Sequence, residues 1–354
     1  MTDMHVGIEL AERGLLPEAL VRAGIRSLLR RRLASEAKRA ATSGGIAAFR
    51  REMEGAPIAL ATGAANRQHY EVPAAFFERV LGPHMKYSAC LFGAEVDELG
   101  AAEAAMLELT AQRARLADGQ DILELGCGWG SLTLFMARRY PRSRVTGVSN
   151  SSSQREWILA RARAEGLDNL AVVTADVNEF VGERQFDRVV SVEMFEHVRN
   201  WRRLLGRVRG WLREDGLLFL HFFAHRAYAY PFEERADDDW MGRHFFTGGM
   251  MPSRNLLQEL DVPFAVVDQW DVAGVHYAKT AEAWLENLDR HASELERLFA
   301  RETTRDEAAR MLRRWRLFFL ACAELFGFGG GAEWFVTHAL LAPSSAARAP
   351  GADA

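Results

Sequence analysis

The sequence predicts an α/β fold with a doubly wound, mostly parallel sheet at its centre. The short apolar run 121–125 enters a glycine-rich turn, which is typical of the first strand of such a sheet. Between residues 131 and 222, segments with helical spacing alternate with short apolar runs. This alternation predicts helices that return the chain from one parallel strand to the next.

The elements predicted for this core follow one another with short connections. A turn at 118–120 precedes the first strand. The helices that follow are predicted over 131–139, 152–165 and 201–212, and the strands over 144–148, 171–174, 186–192 and 217–222.

The N-terminal residues, 4 to about 56, repeat apolar positions at helical spacing, as at Leu15, Leu20 and Ile25. One stretch of these predicted helices has a basic face, formed by Arg26, Arg30, Arg31, Arg32 and Lys38. We favour a solvated surface, because basic faces are common on helices of water-soluble proteins. An interfacial helix that touches anionic lipid is the alternative.

After Ala224 the sequence becomes rich in glycine and aromatic residues. Because large apolar groups need burial, this segment is expected to form a lid or insertion and not a linker. The remaining predictions are helices over 280–300 and 305–326, a strand over 334–341 and a disordered tail over 344–354.

The composition restricts the classes of partner and compartment. The 354 residues carry a formal net charge of −4, which gives no general attraction to nucleic acid. Cys90, Cys127 and Cys322 lie far apart, without the spacing of a zinc site or a disulfide framework, so we expect no bound metal. The sequence lacks a signal-peptide core and a spanning apolar stretch, which predicts a cytoplasmic protein.

The glycine-rich turn predicts the cofactor. Gly126, Gly128 and Gly130 permit a tight turn and let backbone amides approach a ligand closely. The third glycine comes one residue too early for the dinucleotide pattern G-x-G-x-x-G. The spacing after Glu124 is instead the form associated with S-adenosylmethionine, whose ammonium group Glu124 can hold directly or through water. A structural turn in an unrelated α/β protein is the alternative.

The ends of the next two strands offer polar groups for the nucleoside. The second strand ends without the acidic residue that often holds a ribose, and Asn150 and Gln154 can bind the ribose hydroxyls instead. Asp176 follows the third strand, where it can meet the adenine amino group while Val177 packs on the ring. A helix N-cap role for Asp176 is the alternative.

Several motifs carry a resemblance to a known superfamily. At 125–131, 149–154 and 192–197 the chain resembles the cyclopropane-fatty-acyl-phospholipid synthase superfamily. Within it the coclaurine N-methyltransferase branch is the better match, on residues 14–17, 237–240, 248–253, 323–328 and 333–334. The resemblance implies a class I S-adenosylmethionine-dependent methyltransferase fold. It also implies that Tyr87 and Ser88 belong to the loop that closes over the cofactor.

In that branch a Glu-x-x-Glu-His motif lines the acceptor pocket, which implies this role for Glu193, Glu196 and His197. A protonated amine is no nucleophile, so a carboxylate must orient it and a base must accept its proton. If the motif begins a helix, both carboxylates project to one side. The alternative is a helix N-terminus whose acids only favour the helix dipole.

Cyclopropane synthases use a different arrangement, a bicarbonate ion that Cys, Glu, His and Tyr hold and that accepts a proton from the methylated carbocation. The resemblance puts Glu196, His221 and Tyr277 at three of these positions. Cys90 is displaced by one residue from the fourth, which weakens an alkene reaction. Among the aromatic residues, most of which are expected in the core, Trp240 and Phe245 are candidates for an apolar acceptor pocket.

These observations predict an S-adenosylmethionine-dependent methyltransferase that N-methylates a hydrophobic amine. Methylation or cyclopropanation of an unsaturated acyl chain, with bicarbonate, is the alternative, and a non-catalytic binding module is the third hypothesis. The expected partner is a small hydrophobic acceptor and not nucleic acid, while transient contact with a membrane surface and a homodimer are left open. The expected parts are an N-terminal helical and cofactor-covering region (1–117), the Rossmann-like core (118–224), the lid insertion with the C-terminal part of the methyltransferase domain (225–343) and the tail (344–354).

Overall fold

A seven-stranded sheet lies at the centre of the residues that the computed structural model describes, which are 2–42, 45–60, 72–232 and 240–344. In chain order, the strands are β1 (Asp121–Leu125), β2 (Arg144–Ser149), β3 (Leu170–Thr174), β4 (Phe186–Val192), β5 (Leu212–His225), β6 (Tyr230–Pro231), β7 (Met250–Met251), β8 (Phe264–Val272) and β9 (Trp334–Pro343). The large sheet has the order β3-β2-β1-β4-β5-β9-β8, and β6 pairs with β7 separately. Residues 237–239 of the resembling motif and the tail from 345 onward lie outside the described residues.

The strand order of the large sheet reverses between β1 and β4. Neighbouring strands from β3 to β5 run parallel, whereas β9 runs antiparallel to both β5 and β8. In doubly wound sheets, ligands bind outside the carboxyl ends of the strands at such a reversal. The predicted Rossmann-like class I fold is therefore confirmed, and the carboxyl ends of β1 and β4 mark the place of the site.

Helices precede, connect and follow the strands. The N-terminal helices are α1 (Thr2–Glu12), α2 (Glu18–Thr42), α3 (Gly45–Glu54), α4 (Ala74–Val80) and α5 (Leu99–Arg113). Those between the central strands are α6 (Ser131–Arg139), α7 (Ser152–Ala164) and α8 (Trp201–Trp211). The C-terminal helices are α9 (Trp240–His244), α10 (Leu256–Glu259), α11 (Gly274–Arg290), α12 (Ala292–Phe299) and α13 (Arg305–Gly327).

Successive residues of the central strands bury opposite faces of the sheet. Ile122 of β1 packs on one face with Leu107 of α5 and Leu132 of α6. Its neighbour Leu123 packs on the other face with Leu204 of α8. Helices therefore cover both faces, which is why the parallel strands read as continuous apolar runs.

The sequence predicts the central elements to within a few residues but not the far edge of the sheet. β5 begins directly after α8 and not at residue 217. The helix predicted over 280–300 begins at Gly274 and is divided at His291 into α11 and α12. β8, α4 and α5 have no counterpart among the predicted elements. β8 is an edge strand with many partly exposed positions, so it lacks the apolar run that marks a central strand.

Two observations bear on the basic face of α2. Arg26 binds Glu324 of α13 at 2.8 Å, and its neighbour Arg22 binds Glu282 of α11 at 2.6 Å. Part of the basic surface therefore forms ion pairs with acidic residues of the C-terminal helices, and these pairs hold the N-terminal helices against them. In the described ranges, no helix has both the length and the apolar character needed to cross a bilayer.

Candidate active site

Two adjoining cavities open at the carboxyl ends of β1 and β4. They enclose about 600 and 820 Å³ of space outside the protein atoms, part of which is open to solvent. Gly126, Gly128, Gln154 and Glu193 line both cavities, so these residues mark their junction. The glycine turn thus lies between two compartments, as expected for a ligand with two unlike halves.

The glycine turn is held in a conformation that leaves one side of it open. The amides of Gly126 and Cys127 both donate to the Val148 carbonyl at 2.9 Å, which fixes the turn against β2. Gly126 and Gly130 have φ of 77° and 76°, and a side chain there would collide with Met194 or Ile158. Gly128 also has a positive φ, but a Cβ there would meet no atom of the described residues within 4 Å. The turn therefore presents its open side at Gly128 to the cavities.

The smaller cavity contains buried polar atoms without partners. Trp129 Nε1, Ser131 Oγ and Gln154 Nε2 line this region and lack a hydrogen-bond partner among the described residues. Buried donors are rarely left unpaired, so they indicate a polar ligand. The ammonium of Lys86 also lines the cavity, where it donates to Ser88 Oγ and to the Ala89 carbonyl. This donor set fits the carboxylate of an amino acid such as the methionine moiety of S-adenosylmethionine.

Glu124 supplies the opposite charge in the same cavity. Its side chain is buried at the end of β1 and accepts a hydrogen bond from the Thr133 hydroxyl. Burial raises the pKa of Glu124 to about 8, against the opposing effects of the Thr133 hydroxyl and the Lys86 ammonium. A ligand ammonium would stabilise the ionised form, so the geometry supports the predicted role of Glu124.

The larger cavity has the apolar walls and polar rim that a nucleoside requires. Asn150 and Val177, both predicted cofactor residues, line it. Ser149 donates to Gln154 Oε1 at 2.6 Å, which leaves the Gln154 amide N–H groups for a ligand. Asp176 follows β3 beside Val177. It caps a turn by accepting from the Asn178 amide at 2.7 Å, and no helix begins there, so a helix N-cap is not its role.

Glu193 lies at the junction of the cavities, directly after β4. Its Oε1 accepts from the Ala89 amide at 2.9 Å and lies 3.1 Å from His221 Nε2, and its Oε2 accepts from the Tyr277 hydroxyl at 2.6 Å. Its φ is 48°, a conformation that costs a side-chain-bearing residue about 1–2 kcal/mol. Burial raises the pKa of Glu193, whereas Lys86 and the Tyr277 hydroxyl act to lower it.

Glu196 and His197 occupy a single 3-10 turn, Phe195–His197, and not the start of an α-helix as expected. Glu193 precedes this turn in a left-handed conformation, so helix spacing does not determine how the two carboxylates lie. Glu196 is fully buried, accepts from the Phe223 amide at 2.7 Å and, like Trp240 and Phe245, is not among the residues that line the two cavities. Its Oε2 has no hydrogen-bond partner within the described ranges, and burial together with Glu193 raises its pKa well above the ordinary value. The His197 ring stacks on Phe246 at 5.3 Å and lines the larger cavity.

The remaining predicted residues fall into two groups. Tyr87 and Ser88 line the smaller cavity, as the resemblance implies. Phe245 is buried in the core, stacked on Phe318 at 4.2 Å, and Trp240 donates to Glu12 of α1 at 2.8 Å. Neither lines the two cavities, so a pocket role for Trp240 and Phe245 stays a prediction.

Sequence reasoning missed Lys86, Trp129 and Ser131 as site residues, and it could not distinguish Phe246 from Phe245. Trp129 and Ser131 stand within and directly after the glycine motif, so their position was a usable signal. Lys86 directly precedes Tyr87, but nothing in the sequence indicates that a lysine there is buried. Phe246 differs from Phe245 only by one position, and no local pattern tells which ring faces the site. Within the described residues, no cluster of His, Cys, Asp and Glu is suited to a metal ion.

Comparison with known sequences gives one family and a set of relatives. The model of the mycolic acid cyclopropane synthetase family matches residues 61–331. (S)-coclaurine N-methyltransferase from Thalictrum flavum subsp. glaucum is 38% identical over 278 residues, which is 77% of this chain and 77% of the relative. Cyclopropane-fatty-acyl-phospholipid synthase from Escherichia coli is 31% identical over 243 residues, 66% of this chain and 60% of that protein.

Comparison with solved structures finds the same two kinds of enzyme as the comparison with sequences. A coclaurine N-methyltransferase bound to N-methylheliamine and S-adenosylhomocysteine (SAH) has a TM-score of 0.89 at 34% identity, covering 94% of this chain and 98% of that one. A cyclopropane synthase from Mycobacterium tuberculosis has a TM-score of 0.68 at 24% identity, covering 80% of this chain and 99% of that one. The second likeness shows the shared fold.

Replacing Gly128 with Ala should weaken SAH binding by at least about tenfold, because the methyl group enters the cavity at the turn. Titration calorimetry measures the dissociation constant. Gly166→Ala is the matched control: Gly166 also has a positive φ, 67°, and a Cβ added there would meet no atom in the described part of the chain within 4 Å, but Gly166 lies outside both cavities. Equal affinities in the two variants would contradict this assignment of the turn.

The affinity for SAH should rise with pH up to about 8 and then level off. Glu124, whose pKa burial raises to about 8, is protonated below that pH in the empty protein and must release the proton to pair with a ligand ammonium. Calorimetry at about pH 7 in buffers of different ionisation enthalpy should therefore detect proton release on binding. Glu124→Gln should remove most of this release. A wild-type affinity that is constant between about pH 6 and 8 would contradict the role of Glu124.

Proposed function

Because the chain belongs to the mycolic acid cyclopropane synthetase family and is a class I S-adenosylmethionine-dependent methyltransferase, we propose that it methylates the nitrogen of a hydrophobic amine. The relatives named as coclaurine and pavine N-methyltransferases support this acceptor class. The family also contains lipid-modifying enzymes, so the acceptor must be argued from the site itself.

The unpartnered oxygen of Glu196 carries the proposal. Oε2 is buried without a hydrogen-bond donor in the described part of the chain, next to the second buried carboxylate of Glu193. A buried carboxylate oxygen is costly unless a donor or a cation reaches it. A protonated amine supplies both, whereas an alkene supplies neither. An ammonium group that reaches Glu196 would satisfy this oxygen and favour its ionised form, against the burial that raises the pKa of Glu196.

The roles of the three motif residues follow from their surroundings. S-adenosylmethionine, when bound, supplies an activated methyl group on its sulfonium. Glu193 lies at the junction of the two cavities, where a sulfonium between the methionine and nucleoside moieties would face it. Glu196 accepts an N–H of the substrate and orients the nitrogen, and proximity then accounts for much of the rate.

The proton of the amine needs an acceptor other than Glu193, whose oxygens already receive three hydrogen bonds. His197 lines the cavity, and its ring is held by stacking on Phe246. Imidazole is a suitable base because its ordinary pKa lies near neutrality. Phe246 also packs against Phe223, so the base stands among aromatic rings that suit a hydrophobic amine.

The partners of Glu193 also weaken the acyl-chain alternative. In the cyclopropane synthase arrangement, a His and a Tyr hold a bicarbonate ion. Here His221 and Tyr277 both donate to Glu193, so a carboxylate of the chain occupies these donors. Cys90 donates its amide to Thr280, and its thiol lies 3.5 Å from the Ser88 carbonyl. The donors for a separate bicarbonate ion are therefore already satisfied by this chain.

Replacing Glu196 with Gln should lower kcat/KM for amines by about 100-fold, because the ammonium loses its charged partner. Glu193→Gln should have a similar effect. Turnover is measured by mass spectrometry with a panel of benzylisoquinoline and phenethyl amines, and SAH affinity is measured in parallel to verify that the Glu196 variant still folds and binds.

Glu183→Gln is the control, since it makes the same change at an exposed position. Wild-type methylation of an unsaturated phospholipid, without turnover of any amine in the panel, would overturn the proposed function. Full amine turnover by Glu196→Gln would overturn the role of Glu196.

A further inference from the structure

A chain of hydrogen bonds leads from Glu193 through two buried histidines to an arginine near the surface. His221 Nε2 lies 3.1 Å from Glu193 Oε1, and His338 Nε2 lies 3.0 Å from His221 Nδ1. Arg113 at the end of α5 reaches His338 Nδ1 at 2.9 Å. Both histidines are buried, whereas Arg113 is partly exposed.

The register of the sheet produces this chain. His221 on β5 and His338 on β9 are directly paired across the antiparallel ladder, so their side chains share one face. On the other side of β9, His338 is paired with Trp270 of β8, and the Arg113 guanidinium packs over the Trp270 ring at 5.0 Å. On the other side of β5, His221 is paired with Val192 of β4, the residue that precedes Glu193. One row across four strands therefore connects the active site to the edge of the sheet.

The chemistry of arginine determines which atom is the donor and which the acceptor in each of these hydrogen bonds. A guanidinium only donates hydrogen bonds, so Nδ1 of His338 must accept and its proton lies on Nε2. That proton is donated to Nδ1 of His221, whose own proton must then lie on Nε2, facing Glu193. Neither histidine can take a second proton while Arg113 is in place. Burial independently lowers the pKa of His221 and His338, which favours the same neutral forms.

We infer that Arg113 and His338 are positioning residues that act through His221, keeping it neutral and always donating to the Glu193 carboxylate. This inference rests on the proposed function for the role of Glu193 beside the amine. It assigns a function to residues outside both cavities and outside the motif. It also means that the amine proton does not leave through His221, because each N–H in the series of hydrogen bonds from Arg113 to His221 is already donated towards Glu193.

Without Arg113 a second arrangement becomes available. His338 and His221 can then both carry their protons on Nδ1, so that Nε2 of His221 faces Glu193 as an acceptor. Glu193 satisfies that acceptor only when it is protonated. Loss of Arg113 therefore favours neutral Glu193, and the pH at which Glu193 ionises should rise.

Other groups that face Glu193 are unchanged by this substitution. Lys86, the Tyr277 hydroxyl and the Ala89 amide favour the ionised form, as does His197. Glu196 opposes it, and the buried thiol of Cys322 on α13 also interacts with Glu193. None of them contacts Arg113 through an observed hydrogen bond or ion pair in the described residues, so the hydrogen-bonded route from Arg113 to Glu193 runs through the two histidines.

The first experiment measures kcat/KM for the amine against pH in Arg113→Met, Arg113→Lys and Arg115→Met. The acidic limb should move upward by about one pH unit in Arg113→Met, the expected effect of one lost bond to a charged group. Arg113→Lys should stay near the wild type, because lysine also only donates. Arg115→Met is the matched control: Arg115 tethers the same helix end to β8 through Asp268 at 2.8 Å but does not reach His338. An unshifted Arg113→Met profile, or an equal shift in Arg115→Met, would overturn the inference.

The second experiment uses the wild-type protein and no acceptor. Proton–nitrogen correlation spectra of histidine-labelled protein with SAH, assigned with His338→Gln, should show His221 and His338 as neutral Nε2–H tautomers from about pH 6 to 9. A proton on Nδ1 of either ring would refute the inference. Since this readout needs no methyl transfer, it stands apart from the proposed function, which fails if the wild type methylates no amine.

Discussion

The rest of the site depends on a single carboxylate, Glu193, held buried where the strand order reverses. Its left-handed backbone costs about 1–2 kcal/mol. Three hydrogen bonds offset this cost, at roughly 1.5–3 kcal/mol each for a charged acceptor. The donors are Ala89 from the segment before α5, His221 from β5 and Tyr277 from α11. One side chain therefore joins the cofactor-covering segment, the sheet and the C-terminal helices, and these parts cannot shift independently without breaking it.

The charge balance of the site favours cationic ligands. Glu124, Glu193 and Glu196 are all buried, and burial raises the pKa of each. The buried cation of Lys86 interacts with Glu124 and Glu193 but is itself desolvated, so it compensates only part of this charge. A sulfonium, an amino-acid ammonium and a protonated acceptor would each supply positive charge close to one of these carboxylates. Donor and acceptor should therefore reinforce each other's binding through the charge they bring.

The central elements of the fold could be predicted from the sequence, because glycine spacing and alternating helix and strand patterns are local signals. Through the resemblance, the sequence also predicted Glu193, Glu196 and His197 as site residues, because they belong to one short motif. It could not give their geometry, because a left-handed Glu193 and a 3-10 turn replace the expected helix start. The pairing of His221 with His338 depends on β9 lying between β5 and β8, a contact over more than one hundred residues that no local pattern encodes.

A tethered carboxylate and a mobile bicarbonate suit different reactions. Bicarbonate can accept a proton from a carbocation and then exchange with solvent, whereas Glu193 is fixed by its backbone and saturated with donors. In its ionised form, a carboxylate saturated with donors is a poor proton acceptor but a strong source of negative potential. Such a group stabilises the positive charge while the methyl group is transferred from sulfur to nitrogen. In this reaction the positive charge moves from the sulfonium to the nitrogen, and no new charge is created. The removal of the proton is then the step that we propose for a separate, less buried base, His197, which lines the larger cavity.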